Sequence, residues 1–322
     1  MGEMDKQSPE IRIGVSACLV GHKVRYDGGH KQDNYILHTL SRYFKFVEIC
    51  PEVELGLGTP REPIQLRQQG ESVRLVAVNS GRDLTGDMQQ YARKRVRQLH
   101  NNHLHGYLFK RASPSCGISR VKIYQQKGAP KHSGVGVYAQ TVMERWPNLP
   151  VEEEGRLNDS DLRVNWITRV FAYAALQNLW SSSWRLGKLV EFHTRYKFVL
   201  LSHSEKEYRQ MGQLVAEANK TRPHQLKQEY EQLFMSALRK KATTRKHTNV
   251  LQHMVGFFKK ELGSRERQAL VESIEDYRQG YVPLIVPITL IRHYVAVLGI
   301  SYLSNQVYLN PYPKELALMN HV

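Results

Sequence analysis

The 322-residue sequence has no recognisable export signal and no uninterrupted membrane-spanning run. Residues 1–10 are polar and lack the apolar core of a signal peptide. The most apolar stretch, residues 281–300, contains two prolines, an arginine and a histidine, and its uncharged part ends at Ile291. That part is shorter than the ~20 residues that cross a bilayer. We therefore expect a cytoplasmic protein without a membrane partner, in which residues 281–300 form a buried helix.

Cysteine is scarce: the chain has only Cys18, Cys50 and Cys116. An odd number of cysteines in a chain of this length is not a disulfide framework, and a reducing cytosol keeps thiols free. No Cys-x-x-Cys pair occurs, which disfavours the usual structural zinc site. The closely spaced cysteine triplet of radical enzymes is also absent. The three thiols are therefore either inert core residues or ligands of a metal group.

Acidic residues are in deficit, with 30 Asp plus Glu against 46 Lys plus Arg, a net charge of +16. Such a charge favours polyanionic partners, although a solubility bias or attraction to anionic membranes would give the same balance. Residues 161–322 carry 23 basic and 13 acidic residues, and residues 1–160 carry 23 and 17. Because both halves are basic, the distribution fits an anionic ligand that spans them.

Two periodicities divide the chain. Up to residue 150, β-rich segments at residues 12–19, 45–50, 73–79 and 106–110 alternate with helix-like segments at residues 34–44, 87–100 and 136–146. This alternation predicts a Rossmann-like α/β domain with a mostly parallel sheet. From residue 162 to 303 the periodicity is helical, which predicts an all-α domain. We place the domains at residues 1–155 and 162–322, with an acidic, polar linker at residues 151–161.

Cys18 and Cys50 lie at the ends of predicted strands and Cys116 lies just past one, each within two residues of glycine, proline or serine. Because ligands of open parallel sheets bind at the carboxyl ends of the strands, we expect the three thiols to converge. Zinc would need a fourth ligand, such as His22, His30 or one of the group at His100, His103 and His105. A [4Fe–4S] cluster on three thiolates would leave one iron open to a soft ligand such as sulfur.

Four motifs in the first half resemble those of the thiouracil desulfidase family and occur in its order. They are SACLVGHKVRYDGG at residues 16–29, CPEVELGL at 50–57, PREP at 60–63 and SPSCG at 113–117. The second half resembles the helical companion domain of longer members through FHTRYKFVLLSHS at residues 192–204 and YRQMG at 208–212. Those longer members look like tRNA 4-thiouridine desulfidases.

The resemblance implies that Cys18, Cys50 and Cys116 each bind one iron of a [4Fe–4S] cluster, leaving the fourth iron for the thiocarbonyl sulfur. It also implies an acid after the second cysteine and a serine before the third. The acid is Glu52 or Glu54 and the serine is Ser113. Glu54 is favoured for proton transfer, because Glu52 follows Pro51 so closely that it can instead brace the loop.

The remaining candidates contact the substrate. In the family-like motifs these are Ser16, Asp27 and Arg61. Asp27 either belongs to a plain turn with Gly28 and Gly29 or touches the base, and the resemblance favours contact with the base. In the helical half, the densest positive run is the candidate for RNA phosphate contacts and comprises Arg239, Lys240, Lys241, Arg245 and Lys246.

The predicted function is therefore [4Fe–4S]-dependent conversion of 4-thiouridine in tRNA to uridine. Exchange of the thiocarbonyl sulfur for oxygen from water releases sulfide without redox change, so no flavin or nicotinamide is needed. An open iron would act as a Lewis acid toward the sulfur. One alternative is a desulfidase of free 4-thiouracil or its nucleoside. A non-enzymatic alternative is an RNA-binding module with structural zinc at the cysteines. No protein partner is implied.

Overall fold

The computed structural model describes residues 10–317. The chain divides into two compact units, Met1–Trp166 and Ile167–Val322. The polar segment at residues 1–10, where the sequence predicts no export signal, lies outside the described residues except for Glu10.

The first unit contains eight strands in two four-stranded sheets. In chain order they are β1 (Arg12–Ser16), β2 (Lys45–Ile49), β3 (Ile64–Gln69), β4 (Ser72–Ala77), β5 (Gly106–Phe109), β6 (Val121–Tyr124), β7 (Lys131–Gly134) and β8 (Val151–Glu153). The first sheet has the order β2-β1-β5-β8, and all its neighbours are parallel. The predicted α/β class with a parallel sheet is confirmed.

The second sheet, in the order β4-β3-β6-β7, is mixed. Its β3–β4 and β6–β7 pairs are antiparallel, and only β3–β6 is parallel. The predicted strand at residues 73–79 is therefore β4 of a hairpin and not a member of the parallel sheet. Gly70 explains the difference, because it opens the two-residue loop between β3 and β4 with φ of 58°. Tight hairpin loops require such a positive φ, which glycine adopts without strain.

Three helices of the first unit are α1 (Pro51–Glu54), α2 (Thr85–Leu99) and α3 (Val137–Arg145). The last two correspond to the helices predicted at residues 87–100 and 136–146. The helix predicted at residues 34–44 is instead a π-helical turn, Tyr35–Thr39, followed by a 3₁₀ turn, Leu40–Arg42. Short 3₁₀ helices also form at Ala17–Val20, His100–Asn102 and Glu154–Asn158.

Close contact between β1 and β5 fixes the centre of the first sheet. The ring of Tyr107 covers Gly14, and a Cβ at Gly14 would lie 2.3 Å from that ring. Tyr107 in turn stacks on Phe109 with 3.8 Å between the ring centroids. The absence of a side chain at Gly14 therefore allows large aromatic rings to fill the core beneath the strand that leads to Cys18.

The segment predicted as a linker, residues 151–161, is largely ordered within the fold. It begins with β8 and continues as a 3₁₀ helix. Buried Glu153 accepts a hydrogen bond from the Ile118 N–H at 2.9 Å, and buried Glu152 pairs with Arg156 at 2.6 Å. Acidic composition indicated a solvated segment, but these partners make burial of the carboxylates possible.

The second half is all-helical, as predicted. Its helices are α4 (Ser160–Ser181), α5 (Leu186–His203), α6 (Glu205–Ala216), α7 (Pro223–Arg239), α8 (Thr244–Val255), α9 (Ser264–Gln279), α10 (Ile285–Leu298), α11 (Ser301–Ser304) and α12 (Lys314–Ala317). Short 3₁₀ helices are Ala218–Lys220 and Gly256–Phe258. Helix α4 contains the boundary between the two compact units.

The apolar stretch at residues 281–300 forms α10, which is buried on one face only. Ile288 and Ile291 are buried, whereas Val297 is 65% exposed. The predicted helix is present, but only one of its faces is buried, because a sequence that is apolar on both faces does not show which one packs. Among residues 10–317, no helix is both long and apolar enough to cross a membrane.

An aromatic cluster holds α5 against α7. Phe192 and Tyr196 of α5 contact Phe234 of α7, with ring centroids 5.4 Å and 5.2 Å away. At the end of α5, buried His203 places its Nδ1 atom 2.6 Å from the Lys240 carbonyl oxygen. Burial lowers the pKa of His203 to about 4, which outweighs the opposite effect of this hydrogen bond.

This buried imidazole predicts a pH dependence of stability. In the unfolded chain a histidine has a pKa of ~6.5, so between ~pH 6.5 and 4 the unfolded state binds a proton that the folded state refuses. The contribution of His203 to the free energy of unfolding therefore falls as the pH drops through this range, by at most ~1.4 kcal/mol per pH unit. His203→Asn, which keeps a side-chain N–H, should reduce this loss.

Urea unfolding at pH 7 and pH 5, followed by helical circular dichroism, measures the effect. His253→Asn, a substitution of an exposed histidine, is the matched control and should lose as much stability as the original chain. Equal losses in all three proteins would contradict the assignment to His203.

Candidate functional site

The three cysteines lie at one edge of the parallel sheet. Cys18 is in the 3₁₀ helix after β1, Cys50 precedes α1 after β2, and Cys116 is in the loop after β5. These strands are neighbours in the order β2-β1-β5, so their carboxyl ends meet at the same edge. All three are free thiols; Cys18 and Cys116 are buried, and Cys50 is half-buried. The structure thus brings together residues that are 32 and 66 positions apart in sequence.

Burial keeps these thiols protonated when no metal is bound. It raises the pKa of Cys18 to about 11 and also raises the pKa values of Cys50 and Cys116. Negative charge on Cys50 raises the pKa of Cys18 further. Negative charge on Cys18 or on Cys50 likewise raises the pKa of Cys116. Three soft donors that repel one another as anions fit a positively charged iron or zinc centre, which would displace their protons.

Three of the five histidines considered as a fourth zinc ligand bind other groups. His22 pairs with Glu48 at 2.6 Å, and His30 accepts a hydrogen bond from the Gln32 N–H at 3.2 Å. Buried His105 accepts one from the Arg12 N–H at 3.1 Å. Within residues 10–317, no three His, Cys, Asp or Glu side chains converge around the position of a single metal ion.

Glu52 lies beside the thiols and is held on both carboxylate oxygens. Its Oε1 atom accepts a hydrogen bond from the Ser115 hydroxyl at 2.9 Å, and its Oε2 atom pairs with Arg61 Nη2 at 2.5 Å. The Glu52 and Arg61 side chains are only 14% and 6% exposed. The charge of Glu52 raises the pKa of both Cys50 and Cys116, in addition to the larger effect of burial.

Glu54 has a different position, between α1 and α2. Its Oε1 atom accepts a hydrogen bond from the Cys50 N–H at 3.3 Å, at the start of α1. Its Oε2 atom accepts one from the Tyr91 hydroxyl at 2.7 Å and pairs with Arg95 at 2.9 Å. Pro51 fixes the first turn of this helix, so Glu52 and Glu54 leave it in different directions. Glu54 fixes the loop that carries Cys50.

Ser113 organises the loop that carries Cys116. Its Oγ atom accepts hydrogen bonds from the N–H groups of Ser115 at 3.2 Å and Cys116 at 3.1 Å. The Ser113 hydroxyl hydrogen is left to donate elsewhere. Ser115, a fully buried residue that the sequence did not single out, connects this loop to Glu52. The second serine of the SPSCG motif was its only signal.

The start of α3 holds the same loop from the other side. The Ser115 carbonyl oxygen accepts hydrogen bonds from the N–H groups of Tyr138 at 3.0 Å and Ala139 at 3.1 Å. A Cβ atom at Gly136 would lie 2.5 Å from the Ser115 carbonyl group. Gly136 is therefore required for the close approach of α3 to the cysteine loop.

Ser16 and Lys110 lie beneath the thiols. Buried Ser16 accepts a hydrogen bond from the Lys110 N–H at 3.0 Å, and its hydrogen bond with Cys116 lowers the pKa of that thiol. The Lys110 ammonium group pairs with Glu154 and lowers the pKa of Cys18. Sequence reasoning missed Lys110, although its position directly after a buried strand at the ligand-binding edge was a usable signal.

The loop after β1 carries the only exposed member of the predicted base contacts. Asp27 accepts a hydrogen bond from the Gly29 N–H at 3.0 Å and one from Arg25 at 3.3 Å; together these lower its pKa. Arg61 ties this loop to the site, because its guanidinium group donates to the Val24 carbonyl oxygen at 3.0 Å. That carbonyl oxygen also lies 3.7 Å from the Cys50 Sγ atom. Ser16 and Arg61 are buried, whereas Asp27 is open to solvent.

In the second unit, Lys240 and Lys246 of the predicted RNA contacts bind neighbouring groups of the fold. The Lys240 ammonium group pairs with Glu207, and the Lys246 ammonium group donates to the His203 carbonyl oxygen at 2.6 Å. Arg239 and Lys241 are exposed at the end of α7 and just beyond it. Exposed Arg245 lines a polar cleft on α8 and α9, together with Thr244, Thr248, Asn249, Gln252 and Arg278.

Comparison with protein families gives one match in each half of the chain. The family described as 2-thiouracil desulfurase matches residues 13–154. The family described as protein of unknown function (DUF1722) matches residues 197–313.

Individual relatives match about half of the chain and nearly all of their own length. Uncharacterized protein YbgA of Escherichia coli (strain K12) is 37% identical over 164 residues, 51% of this chain and 94% of YbgA. Uncharacterized protein YbbK of Bacillus subtilis (strain 168) is 32% identical over 152 residues, 46% of this chain and 98% of YbbK. Among solved structures, the [4Fe–4S]-dependent thiouracil desulfidase TudS is 32% identical. That match covers 48% of this chain and 98% of TudS, with a TM-score of 0.39.

The contact of α3 with the cysteine loop gives a prediction. Gly136→Ala should destabilise the first unit by ~1–3 kcal/mol, because the added methyl group meets backbone atoms that cannot rotate away. Gly86→Ala, in the first turn of α2, meets no atom within 4 Å and should be neutral or stabilise by up to ~1 kcal/mol. Thermal unfolding followed by circular dichroism compares the two. A melting temperature for Gly136→Ala equal to that of Gly86→Ala would show that the loop can move away from the methyl group.

Proposed function

The chain belongs to the 2-thiouracil desulfurase family, and from this premise we propose that it removes sulfur from 4-thiouridine in tRNA. The products are uridine in the tRNA and hydrogen sulfide, with the new carbonyl oxygen supplied by water. The family name denotes an enzyme that acts on a carbon–sulfur bond of a thiopyrimidine. The family name specifies neither tRNA as the substrate nor a cytoplasmic location; both belong to our proposal.

The observation that carries this proposal is the set of three free thiols at one sheet edge with a fixed carboxylate beside them. We assign a [4Fe–4S] cluster to Cys18, Cys50 and Cys116, the cofactor for which the 32% identical TudS is named. Three thiolates are one fewer than such a cluster has irons. A bound cluster would supply an iron without a protein ligand, a soft Lewis acid suited to the substrate sulfur.

Glu52 is the group that we assign to proton transfer. Arg61 and Ser115 hold its carboxylate in one orientation next to Cys50 and Cys116. A carboxylate in that position can accept a proton from the attacking water and pass it to the departing sulfur. Ser113 can orient the water through its remaining hydroxyl hydrogen. Glu54, which the sequence favoured for this role, we assign to bracing α1 instead.

Asp27 is the group that we assign to the base itself. It is exposed and held by the Gly29 N–H and Arg25, so its carboxylate has a fixed direction. A carboxylate accepts a hydrogen bond from the ring N–H of a pyrimidine. Ser16 and Arg61 are buried, and we assign them to positioning Cys116 and Glu52 rather than to direct contact with the base.

The basic charge of both units supports RNA as the substrate. In the second unit we assign RNA contact to the exposed residues Arg239, Lys240, Lys241 and Arg245 and to half-buried Lys246. Lys240 and Lys246 would contribute charge while keeping their internal partners. The alternative substrate is free thiouracil, because the family match at residues 13–154 requires none of the second unit.

Anaerobic assay on two substrates tests this function. The protein would be reconstituted with iron and sulfide, then incubated with tRNA that contains 4-thiouridine or with free 4-thiouracil. The readouts are loss of the near-ultraviolet thiocarbonyl band and release of sulfide. Faster loss from tRNA supports the proposal, and faster loss from the free base favours the alternative. A colourless protein that contains zinc and leaves the band unchanged would contradict both and support the binding-module alternative.

The two glutamates give a sharper prediction. Glu52→Gln should lower kcat on either substrate by ~10²–10⁴-fold, because the amide cannot accept the proton. Glu54→Gln should lower it less, since the amide can still accept the Cys50 N–H and Tyr91 hydroxyl hydrogen bonds. Iron content and the visible absorption of the cluster serve as controls and should be retained in both variants. A larger loss of kcat in Glu54→Gln, with iron retained, would transfer the proton-transfer role to Glu54.

A further inference from the structure

Helices α2 and α3 form a groove on the surface of the first unit. Its volume is about 500 Å³. Three arginines line it: Arg93 and Arg97 from α2, and Arg145 from the last turn of α3. We call this the arginine groove. It contains none of the residues assigned above to the cysteines, the base or proton transfer.

The charges in the arginine groove are not neutralised by ion pairs. Arg93, Arg97 and Arg145 are all exposed, and none forms a salt bridge with another described residue. The acid that lines the groove is Glu144, which accepts a hydrogen bond from the Gln140 amide at 2.8 Å. Three guanidinium groups against one carboxylate make the groove a site for anions. Guanidinium groups bind phosphate oxygens through paired hydrogen bonds.

The arginine groove and the candidate active site use the same helix. Arg93 and Arg97 are four residues apart and lie on one face of α2. Tyr91 and Arg95, each two positions earlier and so about 200° around the helix, contact Glu54. Glu54 in turn accepts the hydrogen bond from the Cys50 N–H. Only about one helix diameter, ~10 Å, therefore separates the groove from the loop that carries Cys50.

We propose that the arginine groove binds the phosphodiester backbone of the RNA substrate, beside the nucleotide whose base enters the site. This inference rests on the proposed function in taking RNA as the substrate. An enzyme that acts on a base within folded RNA must expose that base and hold the backbone that flanks it. Contacts to phosphate position an RNA without reading its sequence. The catalytic unit thus makes its own RNA contacts, independently of those assigned to the helical unit.

The test variant removes three positive charges from the arginine groove. A control variant removes three positive charges from another surface of the first unit. The groove variant is Arg93→Gln, Arg97→Gln and Arg145→Gln. The control is Lys122→Gln, Lys127→Gln and Lys131→Gln, three exposed lysines on the β6–β7 hairpin and its loop. Both lose the same charge, so general attraction to RNA falls equally. Iron content checks that each variant retains its site.

Two measurements are compared. The first is the Kd for unmodified tRNA, from fluorescence anisotropy at several salt concentrations. The groove variant should raise Kd at least tenfold and reduce the slope of log K against log salt by about 2–3, since each lost phosphate contact removes ~0.9. The second is kcat/KM on 4-thiouridine tRNA divided by that on free 4-thiouracil. This ratio should fall at least tenfold in the groove variant and less than threefold in the control.

The outcomes distinguish a failure of RNA binding by the arginine groove from a failure of the proposed function. Equal weakening of tRNA binding by both variants would reduce the groove to a contributor of net charge and overturn the inference. Unchanged tRNA binding by the groove variant would also overturn it. If the original protein leaves tRNA sulfur intact but its tRNA binding depends on the groove, the inference stands and the proposed function fails.

Discussion

The buried ion pair between Glu52 and Arg61 is the interaction on which the geometry of the site depends. Glu52 follows β2 and also binds Ser115 in the loop after β5, while Arg61 binds the Val24 carbonyl oxygen in the loop after β1. One pair thus connects the loops that carry all three cysteines. Removal of one partner from a largely covered pair leaves the other charge uncompensated, which destabilises the fold. The pair therefore fixes relative positions that hydrophobic packing alone would leave adjustable.

The polar side chains around this pair fall into two groups: those whose polar atoms are bonded within the fold, and those that can form further hydrogen bonds. Glu54, Ser16 and Arg61 have their polar atoms committed to the fold. Glu52 and Ser113 are also held by hydrogen bonds, yet the Glu52 carboxylate can accept further hydrogen bonds and the Ser113 hydroxyl can donate one. Burial keeps the thiols protonated until a cation replaces those protons. Rigidity of this kind is what positions reacting groups to within fractions of an ångström.

Much of the architecture could be predicted from the sequence, because it depends on local periodicity. The parallel strands, helices α2 and α3 and the all-helical second half follow from alternation and helical spacing. The placement of the strand at residues 73–79 in a second sheet could not be predicted, because strand partners are set by tertiary contacts. The pairing of Glu52 with Ser115, 63 residues away, is likewise invisible in the sequence. Composition suggested a linker at residues 151–161, but burial of Glu153 depends on the distant Ile118 N–H.

The distribution of the cysteines over three strands also has a consequence for how the protein matures. Two cysteines that are close in sequence can capture a metal while the chain is still unfolded or emerging from the ribosome. Here Cys18, Cys50 and Cys116 become neighbours only after β1, β2 and β5 have paired. Pairing of β1 with β2 brings Cys18 near Cys50, and Cys116 joins them only when the later strand β5 pairs with β1. A group held by all three thiols would therefore require three paired strands, so its binding site is a product of the folded sheet.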